Sequence, residues 1–139
     1  MSTGSAKTKK NVKTDYKMKM PTYMLLTQFS LRPDNMGFHY IGWVLETYGY
    51  GISMQKFTAV YEHCGKAFGV TGTSVERCMR HAIEVASVVM GEEERAYIFG
   101  NSIGNTETPT VSHFLSCLGI IWDDRVNGTA SKEEDNTEE

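Results

Sequence analysis

Residues 71–86 read TGTSVERCMRHAIEVA, and their spacing is that of a helix with two different sides. At about 100° per residue, apolar side chains collect along one side of such a helix and polar side chains along the other. The apolar set is Val75, Cys78, Met79, Ala82, Ile83 and Ala86, and the polar set is Thr73, Arg77, Arg80 and Glu84. This stretch therefore predicts a helix over about residues 73–90 that buries one side and presents two arginines on the other.

The segment before this stretch predicts a second helix in close contact with the first. Ser53 is placed to cap its start, and Gly69 permits a tight turn after it because glycine adopts backbone angles that most residues avoid. The small Gly65 faces the junction, so the spacing is that of a helix-turn-helix. The inward side of this second helix is expected to consist of Phe57, Val60, Tyr61, Cys64 and Phe68.

Four further segments have helical spacing, and strand patterns are weak throughout the sequence. These segments begin at about Pro21, Phe38, Glu92 and Pro109, and the last ends at about Ile121. The glutamates at 92–94 suit a helix N-terminus, where the backbone dipole favours negative charge. Residues 101–108 are predicted to be an irregular connection. The predicted fold class is therefore all-α, a compact bundle of about six helices.

Length and composition fit a single globular domain that does not need disulfides or a metal to fold. The chain has 139 residues, of which 40% are hydrophobic and 22% charged. No apolar run approaches the roughly 20 residues of a membrane span, and no signal peptide is recognisable. We therefore expect a cytoplasmic protein that has no membrane partner.

Metal binding and catalysis are not expected. The three cysteines and four histidines lack the paired spacings of a zinc site, so no metal or other cofactor is predicted. His63 and Cys64 are neighbours whose side chains point about 100° apart on a helix, which prevents a nucleophile–base pair. Glycine-rich phosphate-binding loops are absent from the sequence. We predict that the protein is not an enzyme.

Charge is distributed unevenly between the two ends of the chain. Residues 1–20 contain six lysines and one aspartate, a net charge of +5, whereas residues 122–139 carry −5 and the part between them −3. These shifts predict a flexible basic arm over 1–20, a folded domain over 21–122 and an acidic disordered tail over 123–139. A cationic arm attracts polyanions, and its candidate phosphate contacts are Lys7, Lys9, Lys10 and Lys13.

The VER and RHAIEVA elements within residues 71–86 resemble the recognition-helix region of a known family of DNA-binding domains. The family is the C-terminal effector domain of the master response regulator of endospore formation, the stage 0 sporulation protein A family. Weaker similarity continues in GISMQKFTAVYEHCGKAFGV, in IFG and in PTVSHF, in the same order. The resemblance covers about residues 36–120. It implies a six-helix domain that binds duplex DNA through a helix-turn-helix and regulates transcription. It also implies that the protein is associated with the nucleoid.

The resemblance also implies roles for individual residues. Glu76, Arg77 and Arg80 match family positions that face the major groove, and His81 matches the position beside them. An arginine suits guanine because two of its donors meet O6 and N7 together. The implied partners are double-stranded DNA, a second copy of the chain on an adjacent site, and the transcription machinery. Three residues at the start of the same helix complete the predicted DNA-binding set: Thr71, Thr73 and Ser74.

Two features depart from the family pattern. Ser74 stands where the sporulation regulator has an arginine, so one base or phosphate contact is expected to be lost. The lysine-rich residues 1–20 are too few to form the phosphoreceiver domain of that regulator. We therefore expect that phosphorylation of a receiver aspartate does not control this chain.

Three alternatives stay open at the level of sequence. Glu76 can close a capping box with Thr73 instead of contacting cytosine. Glu84 lies one turn from Arg80, so the polar side of the helix can be a solvated surface held by salt bridges. The whole domain can also be a helical protein-interaction module, a regulatory partner or antagonist that keeps the fold but does not bind DNA.

Overall fold

Helices make up all the regular structure of residues 15–100 and 108–128, the part of the chain that the computed structural model describes. The six α-helices are α1 (Met20–Gln28), α2 (Met36–Tyr48), α3 (Phe57–Phe68), α4 (Gly72–Val89), α5 (Glu92–Phe99) and α6 (Val111–Trp122). A 3-10 helix over Gly49–Met54 joins α2 to α3, and a π-helical turn over Asp123–Asn127 extends α6. The predicted all-α bundle of about six helices is confirmed. Within these ranges, none of the helices has the length and apolar character that crossing a bilayer requires.

Polar side chains fix the beginnings of four helices. Asn35, Thr71 and Thr110 each accept a hydrogen bond from a backbone N–H two or three residues later, at 2.9 to 3.1 Å. This is the ordinary function of an N-cap, since the first N–H groups of a helix lack partners within it. At the start of α5, the Glu94 carboxylate accepts a hydrogen bond from the backbone N–H of Gly91 at 2.9 Å.

One predicted cap is wrong, and one alternative that the sequence left open at a second helix start is not formed. Ser53 belongs to the 3-10 helix, and α3 begins only after that helix has ended. The reason is that Ile52 is fully buried, and the 3-10 turn that carries it inward takes up the residues assigned to the helix start. At α4 the cap is Thr71, which places Thr73 inside the first turn. The capping box of Thr73 with Glu76, which the sequence left open as an alternative, is therefore not formed.

The central helix of the bundle is α4, which contacts α2, α3 and α6. Its apolar side is buried as predicted, through Val75, Met79, Ala82, Ile83 and Ala86, and Cys78 is half-buried. Against this side α2 approaches closely at Gly37, because a Cβ there would lie only 2.7 Å from the Cβ of Ala82. The two-sided character of α4 follows directly from its sequence.

The last helix closes the bundle onto the first. The indole Nε1 of Trp122 donates a hydrogen bond of 2.9 Å to the Thr22 hydroxyl, and both side chains are buried. Earlier in α6, Gly119 lies against the 3-10 helix, where a Cβ would come within 2.8 Å of the Gly49 carbonyl oxygen. These contacts tie α6 to α1 and to the connection after α2.

The folded part extends beyond the predicted domain at both ends. After residue 122, the Arg125 guanidinium donates hydrogen bonds to the Tyr97 hydroxyl (3.2 Å) and to the Gln28 side-chain oxygen (2.8 Å). Residues 15–19, predicted to be part of the basic arm, contact α2 and α3. Residues 1–14 lie outside the described residues, as do 101–107 and 129–139. The first of these ranges contains Lys7, Lys9, Lys10 and Lys13.

The cap at Thr71 leads to a stability prediction. Thr71→Ala removes the acceptor for Ser74 N and should lower the free energy of unfolding by about 1 kcal/mol. Thr73→Ala is the matched control, because Thr73 is exposed inside the helix, where alanine is the better helix former. Urea unfolding followed by circular dichroism measures both variants. Equal losses of stability in the two would contradict the position of the cap.

Candidate nucleic-acid interface

The connection between α3 and α4 is short and tightly packed. Gly69 ends α3 with a φ of 78°, in the left-handed region that favours glycine. Val70 N donates to the Gly65 carbonyl oxygen at 2.9 Å, and a Cβ on Gly65 would collide with the carbonyl oxygen of Val70. The two helices are therefore held in a fixed relation by this turn, as a helix-turn-helix requires.

A row of polar side chains lies on the side of α4 that faces away from the core. Five of the predicted DNA-binding residues are exposed, namely Thr71, Thr73, Arg77, Arg80 and His81, and two are partly buried, namely Ser74 and Glu76. We call the surface formed by these seven residues the α4 face. Because the opposite side of the helix is buried in the core, α4 holds this face at a fixed orientation to the bundle.

The two arginines of the α4 face have different surroundings. Arg80 Nη2 donates to Glu76 Oε1 at 3.1 Å, an ion pair between residues one helical turn apart. Neither of the two ion pairs among the described residues involves Arg77, whose side chain is exposed. Arg77 is thus available to a ligand without rearrangement, whereas Arg80 has to leave a partner.

The interaction partner of Glu76 was left open by the sequence. It pairs with Arg80, and in the described part of the chain Arg80 has no ion pair with Glu84. Burial and the charge of Glu76 together raise the pKa of the nearby Tyr61 to about 12, burial being the larger cause. The Tyr61 hydroxyl therefore stays protonated at neutral pH and remains a hydrogen-bond donor at the α3–α4 junction.

A third arginine lies near the α4 face and was missed in the sequence. Arg32 lines a shallow cleft together with His81, Val85 and the residues that begin α2. Its guanidinium forms an ion pair of 3.2 Å with Asp34. Local spacing could not have revealed this position, because Arg32 belongs to the loop before α2 and reaches α4 only through the tertiary fold.

Residues 15–19, which we call the strap, were also missed as part of the folded structure. Tyr16 and Met18 are half-buried, whereas Lys17 and Lys19 are exposed. This alternation was visible in the sequence as Tyr16 and Met18 spaced between lysines. Because lysines dominate the composition of the segment, it was assigned to the basic arm and its apolar residues were overlooked.

Within the described residues, the side chains that could bind a metal do not come together, and burial lowers the reactivity of two of the three thiols. No group of three or more His, Cys, Asp or Glu side chains within them is arranged to hold a metal ion. Burial raises the pKa of Cys64 to about 12 and also raises the pKa of Cys117. Both thiols are thus protonated at neutral pH, and a protonated thiol is a poor nucleophile.

A family described as "Sporulation initiation factor Spo0A C terminal" matches residues 22–120 of the chain. The matched range starts in α1 and ends in α6, so it includes α3, the turn after it and the whole α4 face. No curated protein and no solved structure matches the sequence. The resemblance of residues 71–86 is confirmed, and the family is one of DNA-binding regulatory domains rather than enzymes. The protein therefore belongs to the Spo0A C-terminal family, a family of DNA-binding domains that regulate transcription in sporulation.

Proposed function

We propose that this protein binds double-stranded DNA at specific sequences and regulates transcription, with α4 reading the major groove. The observation that carries the proposal is the exposed Arg77, which has no ion pair among the described residues and lies opposite the buried side of α4. The major groove is about 12 Å wide and admits an α-helix, and a guanidinium there donates to both O6 and N7 of guanine.

The order of residues along α4 suits this approach to DNA. Thr71, Thr73 and Ser74 lie at the N-terminus, where hydroxyl groups and the positive end of the helix dipole favour phosphate oxygens. Arg77 follows one turn later, at the depth of the base edges. After a further turn come Arg80, which exchanges Glu76 for a base or a phosphate, and His81, which reaches the backbone.

The net negative charge of the folded domain opposes DNA binding, so positive groups elsewhere in the chain have to compensate for it. Residues between the two charged ends carry a net charge of −3, which opposes approach to a polyanion. Three of the negative charges, Glu92, Glu93 and Glu94, lie at the start of α5, beyond the C-terminal end of α4. We assign the missing phosphate contacts to the lysines of the N-terminal segment, Lys7, Lys9, Lys10 and Lys13.

Binding as a homodimer is part of this proposal. One recognition helix contacts too few base pairs to select a site with high affinity, and domains of this kind gain both by pairing on adjacent half-sites. The bound dimer then regulates transcription by contacting the transcription machinery or by excluding that machinery from the site. The protein is accordingly associated with the nucleoid.

Binding to a pool of random duplexes tests the proposal. Fluorescence anisotropy is measured over a salt series, and the bound duplexes are sequenced after selection. We expect the logarithm of the association constant to fall steeply with the logarithm of the salt concentration, and one motif to be enriched. The Arg77→Ala, Arg80→Ala double variant should lose the motif while its circular dichroism spectrum stays helical.

A failure to bind DNA would favour a protein-interaction function. If the wild-type protein did not bind any duplex at low salt, DNA binding would be contradicted and a helical protein-interaction module would take its place. The α4 face would then be the surface with which to search for the protein partner.

A further inference from the structure

The strap is fastened to α2 through a single carboxylate. The Tyr16 hydroxyl donates to Glu46 Oε1 at 2.8 Å, and the backbone N–H of Lys19 donates to Glu46 Oε2 at 2.9 Å. Burial and the hydrogen bond to Glu46 raise the pKa of Tyr16, so its hydroxyl stays protonated and can donate. Because Lys19 immediately precedes α1, Glu46 holds the strap near both of its ends.

The ring of Tyr16 lies against the last residue of α3. It meets the ring of Phe68 edge to face, with the centroids 5.8 Å apart, and Phe68 also meets the ring of Tyr40 at 4.9 Å. Tyr40 belongs to α2 and is buried, so Phe68 is in contact with both the core and the strap. Met18 lies directly on Gly42 of α2, where a Cβ would collide with its methyl carbon. The strap thus joins α2 to the C-terminal end of α3.

The end of α3 that the strap contacts is also the start of the turn into α4. Gly69 follows Phe68 in the left-handed conformation, and Thr71 caps α4 two residues later. This turn is too short to absorb a displacement of Phe68, since three residues span at most about 11 Å. Val75 is the first buried residue of α4, so the first turn of the helix depends on this connection for its position.

We propose that Tyr16 and Glu46 are positioning residues for DNA recognition, because they fix the turn from which α4 starts and thereby the orientation of Arg77 in the major groove. Neither Tyr16 nor Glu46 contacts DNA in this assignment. The inference rests on the proposed function and adds to it two residues outside α3 and α4 that determine how strongly the α4 face prefers its own sequence.

Release of the strap should reduce sequence preference more than it reduces binding to DNA in general. A guanidinium reads guanine only when two of its donors are aligned with O6 and N7, whereas phosphate contacts carry no base information. If the released turn leaves α4 in the reading orientation for about a fifth of the time, the affinity for the selected duplex falls about fivefold. The affinity for a scrambled duplex should change by less than about twofold, because the phosphate contacts are retained.

Competition between the selected and scrambled duplexes tests this assignment. Tyr16→Ala should lower the preference for the selected duplex about fivefold in the wild-type background. In the Arg77→Ala background it should leave the remaining preference nearly unchanged, because both substitutions remove the same contact. A substitution that only destabilised the fold would weaken binding to both duplexes in proportion, so the ratio of the two affinities separates positioning from stability.

Two milder variants guard against a Tyr16→Ala protein that fails to fold. Tyr16→Phe keeps the ring against Phe68 and removes the hydroxyl, so the preference should fall by less than in Tyr16→Ala. Glu46→Gln keeps only one of the two acceptor oxygens and should also lower the preference. Glu93→Gln is the matched control for charge, because Glu93 is exposed in the first turn of α5, and it should leave the preference unchanged.

The outcomes distinguish this inference from the proposed function. If wild-type protein selects a motif but Tyr16→Ala and Glu46→Gln keep its full preference, the positioning role is overturned and DNA binding stands. An equal fall of the preference in the wild-type and Arg77→Ala backgrounds would also overturn that role, since Arg77 would then not be the residue positioned. A wild-type protein that bound no duplex would overturn the proposed function and this inference together.

Discussion

Arg77→Ala is expected to weaken binding to the selected duplex by about 5- to 150-fold, which corresponds to about 1–3 kcal/mol of base discrimination. The effect is large because Arg77 is exposed on the α4 face and has no ion pair among the described residues, so its donors are all available to a guanine. Arg80→Ala should cost less, since Arg80 already donates to Glu76 and exchanges one partner for another on binding. Competition between selected and scrambled duplexes measures both losses.

Arg77→Lys is the matched control for this experiment. Lysine keeps the positive charge but lacks the two parallel donors that match guanine. The variant should therefore bind scrambled DNA almost as well as the wild-type protein does, while losing most of the preference for the selected motif. If Arg77→Ala instead weakened binding to both duplexes equally, Arg77 would be a phosphate contact and base reading would lie elsewhere on α4.

Gly65→Ala is expected to lower the free energy of unfolding by about 1–3 kcal/mol and the Tm by roughly 5–15 °C. The new Cβ would collide with the Val70 carbonyl oxygen and lie 3.1 Å from the carbonyl carbon of Thr71 and 3.2 Å from Gly72 N. All three are backbone atoms of the turn, which cannot swing aside as a side chain can. Because this turn sets α4 against α3, DNA affinity should fall together with stability.

Gly51→Ala provides the comparison, since a Cβ at Gly51 would meet no atom within 4 Å among the described residues. The same chemical change should there leave the Tm close to that of the wild-type protein, because it adds a methyl group in open space and reduces the freedom of the unfolded chain. Differential scanning calorimetry measures the Tm of both variants. A Tm for Gly65→Ala equal to that for Gly51→Ala would show that the turn does not need its glycine.

The helices could be predicted because their signal is local. The apolar residues of α4 recur every three or four positions, so Val75, Met79 and Ile83 can reach the core together only from one side of a helix. Helix starts were harder to predict, because Thr71 and Thr73 are capping residues of the same type, separated by one position. Which of them caps α4 depends on the residue at which the tight turn after Gly69 ends.

The site could be predicted only in part, because its pairings depend on side-chain geometry and on distant contacts. Arg80 has a glutamate one turn away on each side, and the pair with Glu76 forms because a carboxylate N-terminal to the cation is the better orientation on a helix. The alternation of the strap was visible in the sequence, but its position on the bundle was beyond local reasoning. Its hydrogen bond from Tyr16 to Glu46 spans 30 positions, so only the assembled bundle brings the two residues together.

The hydrogen bond from Trp122 to Thr22 joins residues 100 positions apart, and this separation bears on how the protein is made. During translation, α1 leaves the ribosome long before Trp122 is synthesised. The contact between Thr22 and Trp122 therefore cannot form until α6 has emerged, whereas α1 can pack on α2 much earlier. The bundle should accordingly close only after α6 has left the ribosome.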